Sequence, residues 1–351
     1  MNWEEKYADF NPNSVAVENG NIFGFPYSLE AAKVVIIPIP WDVTTSYSPG
    51  TAKGPKAILD ASLQLDFYDP YLKDAWKYGI AMEPISDEIA QKSTLLRQDA
   101  ERYITFLEVG NQLSDSEEMQ TVLAKINAAS AELNGWVKER TTHWMNQGKL
   151  VGLLGGDHST PYGYLQAIAE KHEFGILQVD AHADLRKAYE GFEFSHASIF
   201  YNALKIDNVK KLVQVGIRDI CPEEVELIES NPKRIKTFFD WDLKSAHYAG
   251  KTWEDECREI IMNLPDKVYI SFDIDGLDPT LCPNTGTPVA GGFQFQEIFH
   301  LINLLAESKK QIIGFDLCEV SPAADNDWNE NVGARVLFKL CNLTYKSQNN
   351  G

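Results

Sequence analysis

A chain of 351 residues with 44% apolar composition is long enough to bury a sizeable core, and one large α/β domain is expected rather than two smaller ones. The formal charge of −19 and pI near 4.8 argue against a nucleic-acid or anionic-membrane partner, because no basic stripe offsets the acidic surface. No run reaches the roughly 18 apolar residues of a membrane span, and MNWEEKYADFNP lacks the basic start and apolar core of a signal peptide. Cys221, Cys257, Cys282, Cys318 and Cys341 are widely spaced without a CxxC pair, which disfavours a disulfide framework or zinc knuckle. Free thiols in a reducing compartment, and hence a cytoplasmic protein, are expected.

In chain order, residues 1–33 are aromatic and Asn-rich without clear periodicity, and are read as an arm on the body or on a neighbouring subunit. Val34 to Pro40, VVIIPIP, is a β-branched strand; the loop TTSYSPGTAKGP and a helix-like AILDAS follow it. GIAM is a second short strand. From about 87 to 148 the spacing turns helical, broken at LSDSEE, where Ser and acidic residues mark a new helix start. Two or more surface helices are expected there, solvated or in contact with another subunit. Beyond Leu150 strands and helices alternate, with strands at LVGLLG, FGILQVD, KLVQVGI, RIKTFF, KVYISFDID and QIIGFDL. Continuously apolar strands belong to a parallel sheet covered on both faces, where ligands sit beyond the carboxyl ends.

Three of those ends carry metal-binding residue types. FGILQVDAHADLR places Asp180, His182 and Asp184 at every second position, on one face of an extended backbone. KVYISFDIDGLDP repeats the spacing with Asp273 and Asp275, and LVGLLGGDHST ends on His158, with Gly155 and Gly156 allowing the tight turn before it. A single Asp after a strand is usually a cap or turn former; three strand ends doing this together point to ligands. Asp157 and Asp278 are read as structural. The set is richer in carboxylate than imidazole and has no thiolate, which suits a pair of divalent ions, Mn²⁺ best, with Co²⁺, Ni²⁺ or Zn²⁺ possible.

GGDHS, DAHADLR, SFDIDGLDP and TGTPVAGG, in this order and spacing, resemble the arginase and agmatinase family of ureohydrolases over roughly residues 34–345. The resemblance implies a three-layer α/β/α domain on an eight-stranded parallel sheet, with an arm at 1–33, a tail at 346–351, and a helical insertion at about 87–148 longer than expected for the family. It implies that His158 and Asp184 serve one manganese ion and His182 and Asp275 the other, with Asp180 and Asp273 bridging. It implies that Glu319, in GFDLCEVSP, binds the guanidinium group as a bidentate acceptor. His196, in FSHAS, would shuttle protons as a group titrating near neutrality. Asp184, His196 and Glu319 form the expected catalytic set, and Thr287 is expected to hydrogen-bond near the ions. His143, His172, His247 and His300 are read as structural or exposed. The implied reaction is attack on the guanidinium carbon by a hydroxide bridging two ions roughly 3.5–4 Å apart, releasing urea and an amine. A trimer or hexamer is implied.

The substrate's tail is read from LRKAYEGFEFS, between Asp184 and His196. Its length and final F-S-H resemble the agmatinase branch, and it lacks the Asn- and Ser-rich loop of arginases. Arg186 and Lys187 depart from agmatinases and would repel an ammonium tail if they faced the pocket, favouring guanidinobutyrate; Trp328 and Tyr189 closing the pocket would favour free guanidine or an alkylguanidine. The alternative is that both cations face solvent beside Glu190 and Glu193. Formiminoglutamate hydrolysis, a deacetylase-like single-zinc enzyme, and a catalytically silent subunit are the competing readings. The complete DxHxD and DxD pairs oppose the deacetylase, and the intact ligand set with Glu319 and His196 opposes the silent subunit.

Overall fold

Strands with no polar alternation hold together only where both faces are covered by apolar helices. The computed structural model, which describes residues 10–349, is built on that condition. Its eight strands are β1 (Val34–Pro38), β2 (Ile80–Met82), β3 (Leu150–Leu154), β4 (Phe174–Val179), β5 (Val209–Ile217), β6 (Ile235–Phe239), β7 (Lys267–Asp273) and β8 (Gln311–Cys318). They match the eight apolar runs in number and place. All pair in parallel, in the order β2-β1-β3-β8-β7-β4-β5-β6.

One face carries α1 (Gly54–Ala61), α7 (Asp240–Tyr248), α8 (Trp253–Met262), α9 (Phe295–Glu307) and α10 (Trp328–Gln348), which bury Ile58, Leu243, Ile260, Phe299 and Leu337. The other carries α2 (Asp87–Glu108), α3 (Glu117–Asn146), α4 (Tyr162–Ala169), α5 (Ile199–Ala203) and α6 (Pro222–Ser230). The result is the expected three-layer α/β/α arrangement.

The sheet order contains a switch. The chain starts at β1, adds β2 at the edge and returns to lay β3 on the inner side of β1, then crosses to β4 and builds outward through β5 and β6 on the other side. β8 and β7 later fill the gap. Four central strand ends therefore stand side by side, at the position where open α/β sheets bind ligands.

The helical stretch divides at LSDSEE as expected, with Ser86 and Ser116 capping α2 and α3 by accepting the Ile89 and Met119 N–H groups. It is less solvated than expected. Met119, Val122, Ile126, Ala129, Leu133, Val137 and Trp144 recur at helical spacing and are all buried, with Ile126 and Val137 at 0% exposure. The Glu- and Lys-rich composition of the opposite face masks that stripe.

Residues 22–33 lie on the chain's own body: Ile22, Phe23, Phe25 and Ala32 are fully buried, and Phe10 meets Phe25 edge-on at 5.7 Å. The first part of the expected arm, residues 1–9, lies outside the described residues. At the other end α10 runs on to Gln348, into the expected tail. Among the described residues no helix is long and apolar enough to cross a membrane, and all five cysteines are free.

Candidate metal centre

Each motif reaches the crevice by a local device. After β3, a Cβ on Gly156 would stand 1.9 Å from the Trp41 carbonyl oxygen, so close approach of two backbones, rather than turn conformation, requires glycine there. Asp157, fully buried, accepts from the Ser159 N–H at 3.0 Å and the Thr44 hydroxyl at 3.2 Å, and this fixes the turn that aims His158 inward. After β7, Asp273 Oδ1 caps the next turn by accepting the Asp275 N–H at 2.8 Å. Asp275 Oδ1 then accepts the Ala181 N–H at 3.0 Å and ties the β7 end to the β4 end. Asp184 and Glu319 hold φ of 53° and 67°, a left-handed backbone that costs a side-chain-bearing residue roughly 1–2 kcal/mol and is concentrated at functional positions.

These devices bring all six expected ligand residues together. His158 Nδ1 lies 3.0 Å from Asp180 Oδ2, 3.1 Å from Asp184 Oδ2 and 3.2 Å from Asp273 Oδ2. His182 Nδ1 lies 3.0 Å from Asp275 Oδ2 and 3.7 Å from Asp180 Oδ1. Asp180 thus turns one oxygen toward each imidazole. Asp273 turns only Oδ2 toward an imidazole, that of His158; its Oδ1, like that of Asp180, accepts a backbone N–H.

The electrostatics are those of a site with more negative charge than its donors balance. Burial pushes Asp184 up to about 7, with the Asp180 charge adding to it, and pushes Asp180 and Asp273 upward as well. Burial works against a charge on His158, but the carboxylates of Asp180, Asp184 and Asp273 outweigh it and hold the imidazole well above its usual range. For His182 the same contest, won mainly by Asp275, ends at about 10.

The donor set fits a divalent pair. His158 Nδ1 is buried without a well-directed hydrogen bond, although three carboxylate oxygens surround it. Oxygen and nitrogen ligands about 2.1 Å from a common hard ion stand about 3 Å apart, which is the spacing seen around this nitrogen. Two groups of donor atoms, His158/Asp180/Asp184 and Asp180/His182/Asp275, each lie within 4.8 Å of one another and share Asp180.

Behind these residues lies a support layer not singled out from the sequence. His158 Nε2 is 2.9 Å from Ser271 Oγ, which donates to Asp316 Oδ2 at 2.7 Å. Gln178 donates to Asp180 Oδ2 and to the His182 carbonyl, both at 2.9 Å, and Gln214 holds Gln178 in turn at 2.6 Å. A signal existed: each of the four is a polar residue inside an apolar strand, and a buried polar side chain needs a specific partner. Arg218 donates to the carbonyls of Asp275, Leu277 and Val289 and fastens the TGTPVAGG loop to the β7 end.

Glu319 is 4% exposed, with Oε1 accepting the His158 N–H at 2.9 Å and Oε2 buried without a partner. A Cβ on Gly286 would come within 2.8 Å of that free oxygen, so glycine keeps the space beside it open. The bidentate acceptor expected of Glu319 is half engaged by the backbone. His196 is buried, with Nε2 3.4 Å from Ser46 Oγ and its N–H donating to Thr44 Oγ1 at 3.2 Å. Burial, and next the positive charge of His182, push it down to about 3, so it stays neutral instead of titrating near neutrality as expected.

Among the substrate-tail candidates, Arg186 lies over the Tyr189 ring at 4.7 Å with its Nε 3.9 Å from Glu224 Oε2, and Lys187 is exposed. Tyr189 stands edge-on to His196 at 6.3 Å. Trp328 is at the surface, 47% exposed and bonded to the Thr280 carbonyl. Thr287 is half-buried and makes no hydrogen bond to the cluster, whereas Thr285 and Gly286 before it are buried.

The chain is similar to known proteins over most of its length. The model of the arginase family matches residues 32–342. An N(1)-aminopropylagmatine ureohydrolase of Thermus thermophilus is 33% identical over 298 residues, 85% of each chain. The agmatinase of Halalkalibacterium halodurans is 30% identical over 84% of this chain and 86% of its own. In fold, the agmatine ureohydrolase of Thermoplasma volcanium superposes with a TM-score of 0.71 over 98% of both chains at 24% identity.

Proposed function

The chain belongs to the arginase family, and from that premise we propose that it hydrolyses agmatine or an N-aminopropyl derivative of it to urea and the corresponding amine. It is a ureohydrolase with a dinuclear divalent metal centre. The observation that carries the residue assignment is Asp180, whose two oxygens face two separate imidazoles. We assign His158 and Asp184 to one ion, His182 and Asp275 to the other, and Asp180 and Asp273 to both, with Mn²⁺ as the resident metal. The carboxylate-rich donor set supports Mn²⁺ over softer ions.

The guanidinium carbon is a weak electrophile because its charge is delocalised. When bound, the ions supply a nucleophile of hydroxide strength at neutral pH. The chain's own residues do the rest. Glu319 Oε2, buried and free, accepts guanidinium N–H groups and turns the carbon toward the cluster. An oxygen adds to that carbon, the bond to the alkyl-bearing nitrogen breaks, and this nitrogen departs with a proton as the amine. His196, kept neutral, can accept a proton at one ring nitrogen while donating from the other, with the Ser46 hydroxyl beside it.

An ammonium tail is favoured by the relatives' substrates and by the disposition of the cations. Arg186 is stacked and paired, and Lys187 is exposed. Both leave the tail unopposed. Residues 34–345 are read as one catalytic domain, and a cytoplasmic homo-oligomer is proposed, supported by five free thiols and by exposed apolar residues such as Met262 and Tyr248.

The test is urea release from manganese-loaded and nickel-loaded protein against agmatine, N-aminopropylagmatine, arginine, guanidinobutyrate, methylguanidine, guanidine and formiminoglutamate, with ammonia followed in parallel. Preference for a cationic amine tail is expected. Preference for guanidinobutyrate or free guanidine would overturn the tail assignment, and no urea from any compound would overturn the reaction.

A further inference from the structure

His196 is held by two loops from different strands, and both loops lean on the same pair of helices. The loop after β1 supplies Thr44, which receives the His196 N–H, and Ser46, which faces its Nε2. From α2, Arg97 Nη1 donates to the carbonyl of Val43 at 3.2 Å and to that of Thr45, and Ser93 Oγ receives the Asp42 N–H at 3.3 Å. Arg97 is only 12% exposed, and its Nε is anchored on Glu101 at 3.1 Å. Three alternate peptide units, 41–42, 43–44 and 45–46, are thereby oriented from outside the sheet.

The second loop, residues 188–194 after β4, is gripped by the same hairpin. Tyr103 of α2 donates to the Glu190 carbonyl at 2.9 Å. Asn127 of α3 donates to the Gly191 carbonyl at 3.1 Å and accepts the Glu193 N–H at 2.9 Å. Phe192 is fully buried against the Tyr103 ring, 5.3 Å between centroids. Ala188 and Glu190 hold φ of 51° and 53°, conformations that persist only when surrounding contacts over-determine them.

We infer that the α2–α3 hairpin is the positioning element for His196, with Arg97 as its principal positioning residue. This rests on the proton-handling role proposed for His196. Arg97 does not touch substrate; it acts through the backbone of residues 43–45. A cavity of about 370 Å³ lies between the 40–53 loop and α2, lined by Asp42, Gly50, Lys53, Thr94 and Arg97. With that space open, few other contacts can replace Arg97 when it is removed. Loops held by a few hydrogen bonds are the low-stability units that open first.

The test is a double-mutant cycle of Arg97→Met with His196→Ala, with Arg97→Lys and Tyr103→Phe as milder variants. Metal content and hydrogen exchange of the metal-free proteins are measured alongside kinetics. Arg97→Met should keep two metals per subunit and lower kcat about 10- to 100-fold, the loss expected when a reacting group is displaced by about an ångström. That loss should vanish in the His196→Ala background, and Arg97→Lys should recover part of it. Exchange should quicken together in peptides covering 42–51 and 188–198, and Tyr103→Phe, which removes only one hydroxyl, should show the same coupling more weakly. An unchanged kcat, an undiminished loss on the His196→Ala background, loss of metal, or faster exchange confined to α2 would overturn the inference. If the wild-type protein releases no urea, the proposed reaction fails while the exchange coupling still decides the clamp.

Discussion

Asp180 serves two imidazoles because Gln178 holds its Oδ2 and the His182 N–H holds its Oδ1, so neither oxygen can swing away. Asp180→Asn turns the carboxylate proposed to be shared into an amide, and both ions should be lost together. Metal analysis should fall from two to well below one per subunit, and retention of two would refute the shared role. Glu319→Gln has a different signature. It keeps the acceptor for the His158 N–H but removes the charge that meets the guanidinium; a hydrogen bond to a charged group is worth about 1.5–3 kcal/mol, so turnover should fall roughly 10- to 100-fold with metals retained. Unaltered turnover would remove Glu319 from the substrate site. Asp316→Asn should weaken metal binding by about 10- to 100-fold, the usual effect of disturbing a partner of a ligating histidine. A metal titration by calorimetry checks it.

At the scale of elements, the α2–α3 hairpin is an added layer whose attachment is partly ionic. Glu83, 5% exposed at the end of β2, is held by Arg140 and by the Trp144 indole of α3. Arg140→Ala leaves that carboxylate with the indole alone. Removing one partner of a fully buried pair costs about 3–5 kcal/mol, and because Arg140 is 36% exposed a loss of about 2 kcal/mol is expected. Urea denaturation should show it as a lower midpoint with unchanged slope and unchanged metal content. No shift in midpoint would mean that Trp144 alone satisfies Glu83.

For the whole molecule, the proposed ligands stand at the ends of three central strands, β3, β4 and β7, so metal binding and global stability are linked. His158, Asp180, Asp184, Asp273 and Asp275 lie together, nearly excluded from water. Chelation leaves their charges opposed by protons alone. An ion that binds the folded state only adds about 2.7 kcal/mol at a hundredfold excess over its Kd. Thermal denaturation should therefore move down by several degrees on chelation and return in proportion to added Mn²⁺. A transition that does not depend on metal would disconnect the site from the fold.

Much of this was legible in one dimension. Eight apolar runs without alternation determined a parallel sheet with two covered faces, and DxHxD, DxD and GGDH placed candidate ligands at strand ends, although the chain leaves the extended backbone there, with Asp184 at φ of 53° and Asp275 in the turn that Asp273 caps. The break at LSDSEE was legible for a local reason, since helix caps are set by neighbours three residues away. Non-local relations were decided by tertiary structure alone. Strand order put β8 and β7 between β3 and β4, packing turned α3 from a solvated helix into a buried layer, and burial made His196 neutral. Gln178, Gln214, Ser271 and Asp316 stood in the sequence as polar interruptions, but their partners lie on other strands. Desolvation and hydrogen bonding across the sheet depend on which distant residues meet, and a linear pattern carries no term for that.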